Sequence, residues 1–268
     1  EYVKKFGLTE KTGIDLPGES KGIMFDYDVF NELEQATVAF GQGISVTPMQ
    51  LVRAICACVN GGTLYKPYLV DKIIDNYSDD IIYEKKPEAL RQVISEDTSK
   101  KVRDALETVV TDGGGKNAYI DGYRIGGKTG TAQKAVNGSY VDGGYILSFV
   151  GIAPIDDPKI VLYVAMDNPK NCVQYGGTTV APIARKMLVD ILPSMGVKKV
   201  ASQRQKAYTF MDTKSVKIEN YIGKSKKEIS NPELKFKFIG EGDKVIDQLP
   251  RVGEYVEAGS TVVIMLGW

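Results

Sequence analysis

The pattern of apolar and polar positions predicts several elements before any chemistry is considered. Leu51, Val52, Ile55, Cys58 and Val59 recur at helical spacing and stop at Gly61-Gly62. Thr47 caps that helix, and Pro48 takes its first position. A second helix is predicted from Ser95. Glu96 and Asp97 lie in its first turn, where the dipole favours acids, and Val102, Ala105, Leu106 and Val109 form its buried stripe. Asp112-Gly113-Gly114-Gly115 ends it and opens a mobile loop. Strands follow over Tyr123–Ala135, Ile146–Ala153 and Ile160–Asp167, and their short connections favour antiparallel pairing. A last helix, Val180–Leu192, carries Ile183, Met187, Leu188 and Ile191 on one face. Helices with a short antiparallel sheet make an α+β domain.

A charge break divides the chain. Lys198, Lys199, Arg204 and Lys206 stand in a stretch without an acid from 198 to 206, which reads as a solvated linker. The expected organisation is a domain over 1–196, a linker over 197–211 and a small α+β module over 212–268. The module is read as a strand at Ser215–Ile218, a helix at Lys224–Ser230 and strands at Leu234–Ile239, Val245–Leu249 and Thr261–Leu266.

Composition then narrows the chemistry. Lys plus Arg and Asp plus Glu are both 34, so the basic excess of a nucleic-acid binder is missing. No apolar run is long enough to span a membrane, and the first residues do not read as a secretory signal. The chain contains no histidine, which removes Ser-His-Asp triads, Cys-His dyads and His-based zinc sites together. Proton transfer must use Lys, Asp, Glu, Tyr or Cys. Three cysteines, Cys56, Cys58 and Cys172, are too few and too odd for a disulfide framework. Gly41-Gln42-Gly43 lacks the Lys-Ser/Thr of a phosphate loop, so that reading fails.

The segment Gly127-Lys128-Thr129-Gly130-Thr131 carries the most informative pattern. On a strand, Lys128 and Gly130 share one face while Thr129 and Thr131 share the other. The lysine offers positive charge and the hydroxyls can donate to a carboxylate. An extended peptide could add beside such a strand at a sheet edge. The alternative is an ordinary strand with polar outward residues.

Around it the chain reads Gly-Tyr-Arg-Ile-Gly-Gly-Lys-Thr-Gly-Thr-Ala-Gln over 122–133. Upstream stand Thr12-Gly13-Ile14-Asp15-Leu16-Pro17-Gly18-Glu19 and the run from Ala39 to Gln50. Downstream stand Phe149 to Pro154 and the Tyr175-Gly176-Gly177 turn. In this order the segments resemble the C-terminal part of the transpeptidase domain of class B penicillin-binding proteins. Residues 212–268 resemble a PASTA module, through Gly240-Glu241-Gly242-Asp243, Gln248-Leu249-Pro250, Gly253 and Gly259-Ser260-Thr261-Val262. The combination is similar to the sporulation group of these enzymes, with a division transpeptidase as the runner-up.

The resemblance implies a penicillin-binding, serine β-lactamase-like fold and a D,D-transpeptidase that cross-links peptidoglycan in spore cortex synthesis. It implies that Lys128 is the lysine of the K-T-G motif. Thr129 and Thr131 would hold the carboxylate of a stem peptide or β-lactam, and the Thr131 N–H would be one oxyanion donor. Gly130 would keep the strand thin for substrate, and Tyr175 would form an aromatic wall. The alternative for Tyr175 is a surface turn aromatic. One departure is plain: none of the thirteen serines begins S-x-x-K or S-x-N. The family's nucleophile is therefore absent, and the chain reads as the C-terminal part of a longer, membrane-anchored, extracytoplasmic protein. Its partners would be stem peptides, β-lactams, its own missing N-terminal part and a membrane glycosyltransferase, with no nucleic acid. No cofactor is implied; zinc at Cys172 would need ligands from elsewhere. Readings from other classes are a non-catalytic peptidoglycan-binding or scaffold fragment and a penicillin-sensing domain.

Overall fold

A computed structural model describes residues 1–24, 31–136, 139–200 and 214–268. The predicted linker, 197–211, lies from residue 201 onward outside the described residues. In chain order the elements are α1 (Tyr2–Lys5), α2 (Glu32–Ala39), α3 (Pro48–Val59), β1 (Thr63–Lys66), β2 (Lys72–Ile74), β3 (Ile81–Glu84), β4 (Glu88–Gln92) and α4 (Glu96–Thr111). Then come β5 (Gly126–Val136), β6 (Ser139–Ala153), β7 (Ile160–Asp167), α5 (Gly176–Thr179) and α6 (Ala181–Ser194). The last are β8 (Ser215–Lys217), β9 (Lys235–Ile239), β10 (Lys244–Leu249), β11 (Tyr255–Glu257) and β12 (Thr261–Gly267). Two compact units emerge, each taken over its described residues. One holds Glu1–Lys128, Val150–Tyr163 and Ala184–Gln203; the other holds Thr129–Phe149, Val164–Ile183 and Arg204–Trp268.

In the first unit, α3 begins as its sequence dictates. Thr47 accepts from the Gln50 N–H while the Gln50 side chain accepts from the Thr47 N–H, a reciprocal cap. Its most buried face differs from the expected apolar stripe. Gln50, Arg53, Ala54, Ala57 and Val59 are buried, while Leu51, Val52, Ile55 and Cys58 are half-buried. The reason lies in distant backbone. The Gln50 amide donates to Glu10 O (2.7 Å), Lys21 O (3.0 Å) and, more weakly, Leu8 O (3.3 Å). Arg53 donates to Gly7 O and Thr12 O, so two polar side chains gather residues 7–21 onto the helix.

Helix α4 starts at the Ser95 cap, which accepts from the Thr98 N–H. Its contact with α3 uses Ser99, which donates to Cys58 O, and Arg103, which donates to Val59 O. Ser99 and Val110 are its buried residues, whereas the predicted Ala105 is exposed. Past the helix, Lys116–Ala118 form a 3-10 turn with Ala118 buried. Val59, Val150, Ile152 and Ile155 form a core here, with Leu106, Val161 and Tyr163 packed against it. Gly126 belongs to this packing, since a Cβ there would lie 2.4 Å from Ile155 Cδ1.

Strands β5, β6 and β7 hydrogen-bond in that order, and β7 matches the predicted residues end to end. The six-residue link from β6 to β7 is too short for a parallel crossover. Helix α6 is rotated from its predicted face. Ala181, Ala184, Leu188 and Leu192 are fully buried, while Ile183 and Met187 are exposed. Close packing at a helix surface selects the small alanines that hydropathy ranks low.

The C-terminal segment folds around Val216, Ile218, Tyr221, Val245, Val262 and Ile264. Strand β12 is central in a three-stranded sheet, antiparallel to β10 and parallel to β9, and β11 pairs antiparallel with β8. The predicted helix at Lys224–Ser230 is one 3-10 turn, Lys226–Glu228, closed by the Ser225–Glu228 capping box. Asn231-Pro232 follow at once, leaving no length for propagation.

Candidate functional site

The Lys128–Thr131 run lies in β5, as the sequence predicts. Lys128 and Thr131 are exposed; Thr129 and Gly130 are half-buried. Within the second unit, Gly130 has a reason for its missing side chain that comes from its neighbours. A Cβ there would lie 2.4 Å from Ser148 Oγ of β6. A side chain at this position would have to displace that hydroxyl.

The turn after the loop 168–175 presses on the same place. Tyr175 is the N-cap of α5, with 39% of its surface exposed. The next residue, Gly176, is buried, and a Cβ on it would lie 2.4 Å from Ser148 O and 2.6 Å from Gly130 O. Only a glycine lets this turn approach the two strands so closely. That approach brings the Gly176 N–H to Thr131 Oγ1, at 3.3 Å. The threonine oxygen accepts this bond, and its own O–H remains able to donate. Thr131 can therefore still offer a donor of the kind a carboxylate requires.

Beyond Thr131 a groove of about 810 Å³ opens within the second unit. Its lining includes Thr131, Tyr145, Gln174, Lys217, Arg251 and Tyr255. Strand β11 forms part of the wall. Tyr255 OH donates to Asn171 Oδ1 (3.1 Å), and two residues on Glu257 Oε1 accepts from Thr178 Oγ1 (2.5 Å). Tyr255 and Glu257 share one face of β11, as alternate residues must. None of Asn171, Thr178, Tyr255 or Glu257 was singled out from the sequence. Their pairs are 84 and 79 positions apart, and no local pattern reports such a distance.

The other candidates fall elsewhere. Lys134 is paired with Asp167 at 2.5 Å. Cys172 is half-buried, with the Gln174 amide nitrogen 3.8 Å from its sulfur. Among the described residues no group of three or more His, Cys, Asp or Glu side chains is placed to hold a metal. Burial pushes the Cys58 thiol up to about 11 and raises Cys56 as well, so neither is a ready nucleophile.

In the first unit, the Thr12–Glu19 loop is fixed by its own carboxylates. Asp15 accepts from the N–H groups of Val70 and Leu69, which lower its pKa. For Glu19, burial pushes the carboxyl up. Donation from the Thr12 hydroxyl and N–H and from the Gly13 N–H outweighs it, and the pKa lies below the ordinary value.

Known proteins resemble the chain along most of its length. Residues 1–189 match the family described as the penicillin binding protein transpeptidase domain. Stage V sporulation protein D of Bacillus subtilis (strain 168) is 47% identical over 268 residues, which is 99% of this chain and 42% of that protein. The peptidoglycan D,D-transpeptidase FtsI of Buchnera aphidicola is 38% identical over 196 residues, covering 72% of this chain and 32% of that one. The crystal structure of penicillin binding protein 3 from Mycobacterium tuberculosis, complexed with ampicillin, superposes with a TM-score of 0.68 at 30% identity. That match covers 77% of this chain and 47% of the other. The chain thus spans less than half the length of each of these relatives. Its α+β elements, its K-T-G strand and these matches together place it in the penicillin-binding protein transpeptidase family.

Proposed function

We propose that the protein carrying this sequence is a serine-type peptidoglycan D,D-transpeptidase, and that these residues supply the carboxylate-binding wall of its site. In this reading a serine outside these residues attacks the stem peptide and forms an acyl-enzyme with loss of D-Ala. A neighbouring amine then takes the acyl group. Lys128 raises the positive potential at the site, Thr129 and Thr131 hold the carboxylate, and the Thr131 N–H donates to the oxyanion. Gly130 and Tyr175 flank the bound chain. The observation that carries the reading is the K-T-G strand, with Thr131 exposed and its oxygen held by the Gly176 N–H, inside a family match over residues 1–189.

The finer assignments are part of the same proposal. Residues 1–196 belong to the transpeptidase domain, and 212–268 form a PASTA module after a linker at 197–211. The name of the Bacillus subtilis relative supports a role in the spore wall. The protein acts outside the cytoplasmic membrane, anchored by another segment and served by a glycosyltransferase partner. Among the described residues no helix is long and apolar enough to cross a membrane.

The test is acylation of the full-length protein by a labelled penicillin. Thr129→Val removes a hydroxyl while keeping volume and strand propensity. A hydrogen bond to a charged group is worth about 1.5–3 kcal/mol, which is roughly 10- to 150-fold in acylation rate. A rate within about twofold of wild type removes Thr129 from the site. No acylation of the wild-type protein overturns the enzymatic reading in favour of a scaffold.

A further inference from the structure

Resting on the transpeptidase reading, we propose that Glu257 is a positioning residue for the Thr131 hydroxyl, so that the C-terminal segment tunes the carboxylate pocket from outside it. The path is short and made of named contacts. Glu257 Oε1 accepts from Thr178 Oγ1 at 2.5 Å, a charge-assisted bond between two half-buried residues. Thr178 lies in the single turn α5, whose first residue, Gly176, donates its N–H to Thr131 Oγ1. The turn has no slack on its inner side, because Gly176 already touches the backbones of Gly130 and Ser148. Within the turn, the N–H groups of Thr178 and Thr179 donate to Tyr175 O and that of Val180 to Gly176 O. The Thr179 hydroxyl also donates to Val173 O at 2.6 Å. A turn so braced moves as one piece, and Glu257 grips its outer side.

A second grip makes the attachment directional. Tyr255 is on the same face of β11 and donates to Asn171 Oδ1, at the start of the segment that leads into the turn. Asn171 has φ 57, a conformation that asparagine tolerates and most residues avoid. The two contacts hold both ends of 171–178 against one strand. Releasing Glu257 frees only the end that carries Gly176. The 3.3 Å bond to Thr131 is already long for an N–H···O bond, so a small retreat of the turn breaks it. The Thr131 hydroxyl then loses the Gly176 N–H that holds its oxygen in place.

The experiment is a mutant cycle on the full-length protein, reading the second-order rate of acylation by a labelled penicillin alongside thermal stability. Glu257→Ala is expected to slow acylation about 3- to 10-fold, a partial loss of one positioned donor. Glu257→Gln keeps an acceptor oxygen for Thr178 and is expected to stay within about twofold of wild type. Thr178→Val breaks the same bond from the other side and should match Glu257→Ala, which covers the case in which either variant folds poorly. In a Thr131→Val background the Glu257→Ala effect should vanish, because the hydroxyl being positioned is gone. A merely structural role would persist in that background and would move the melting temperature instead. If Thr131→Val slows acylation but Glu257→Ala does not, or if the two effects simply multiply, the positioning role is overturned while the transpeptidase reading stands. If Thr131→Val itself leaves the rate unchanged, the role assigned to Thr131 fails, and the inference falls with it.

Discussion

Replacing Gln50 is the most demanding stability test in the first unit. Its side chain is fully buried, accepts from the Thr47 N–H at 2.8 Å, and sends two N–H donors to Glu10 O and Lys21 O, with Leu8 O sharing at 3.3 Å. Gln50→Met keeps the length and apolar stem and removes these bonds. Three net hydrogen bonds at about 1 kcal/mol each give a loss of about 3 kcal/mol, more if the freed carbonyls stay dry. Gln50→Glu keeps the shape but replaces the donating NH2 group with one carboxylate oxygen that faces the Glu10 and Lys21 carbonyl oxygens. It should be worse than Met at neutral pH. Acidification should recover part of the loss, since a protonated carboxyl donates once and its folded-state pKa must be raised. Guanidinium unfolding at several pH values measures both effects, and hydrogen exchange over residues 8–21 reports where the structure loosens. A Met variant within 1 kcal/mol of wild type, or a Glu variant as stable as wild type at pH 7, would show that Gln50 does not hold these segments together.

Gly176→Ala should displace α5 by about 1 Å, because its Cβ would meet Ser148 O at 2.4 Å, and overpacking of this kind costs about 1–3 kcal/mol. Thermal unfolding and penicillin acylation of the full-length protein should fall together, and an unchanged melting temperature would contradict the close approach. The Glu19 carboxyl has a lowered folded-state pKa, so its stabilising effect is present above its ordinary pKa of 4.5 and is lost as pH falls through the folded value. Glu19→Gln should therefore flatten the acid limb of a stability–pH curve, and a limb identical to wild type would discard the linkage. Cys56 and Cys58 should resist iodoacetamide at pH 8 until denaturant is added, as read by mass mapping, because burial raises both thiols. The 268-residue chain alone should gain no mass from penicillin, since it carries no S-x-x-K serine; a stoichiometric adduct would demand a nucleophile within it.

Local rules carried the sequence reading wherever a local interaction decides the structure. Thr47-Pro48 and Ser95 mark helix starts because capping involves residues three apart, and β7 is a compact apolar run between turn residues. The buried face of α3 escaped because Gln50 and Arg53 are drawn inside by carbonyls some 40 positions away, which hydropathy counts as a penalty. Strands β2 and β3 escaped for the opposite reason. Ile73, Ile74, Ile81 and Ile82 are all exposed, so they break the alternation that signals a half-buried strand. At the candidate site the K-T-G strand is legible as a motif. The partner of Thr131 lies 45 positions on, and that of Thr178 lies 79 positions on. Motifs name the groups; only the fold says which of them share a proton.

The parallel pairing of β12 with β9 has a consequence for how the C-terminal segment is made. The strand that completes the sheet is central rather than peripheral, and both its neighbours precede it in the chain. During vectorial synthesis β9 and β10 emerge first and have no edge to join, since they do not pair with each other. Val262 and Ile264, fully buried in the finished core, arrive last. Folding of this segment must therefore be all-or-none and late, with two open strand edges waiting for residues 261–267. Ribosomal stalling or proteolytic clipping just before Thr261 would leave a species prone to pair with other chains, whereas the same cut after β12 would leave the sheet whole.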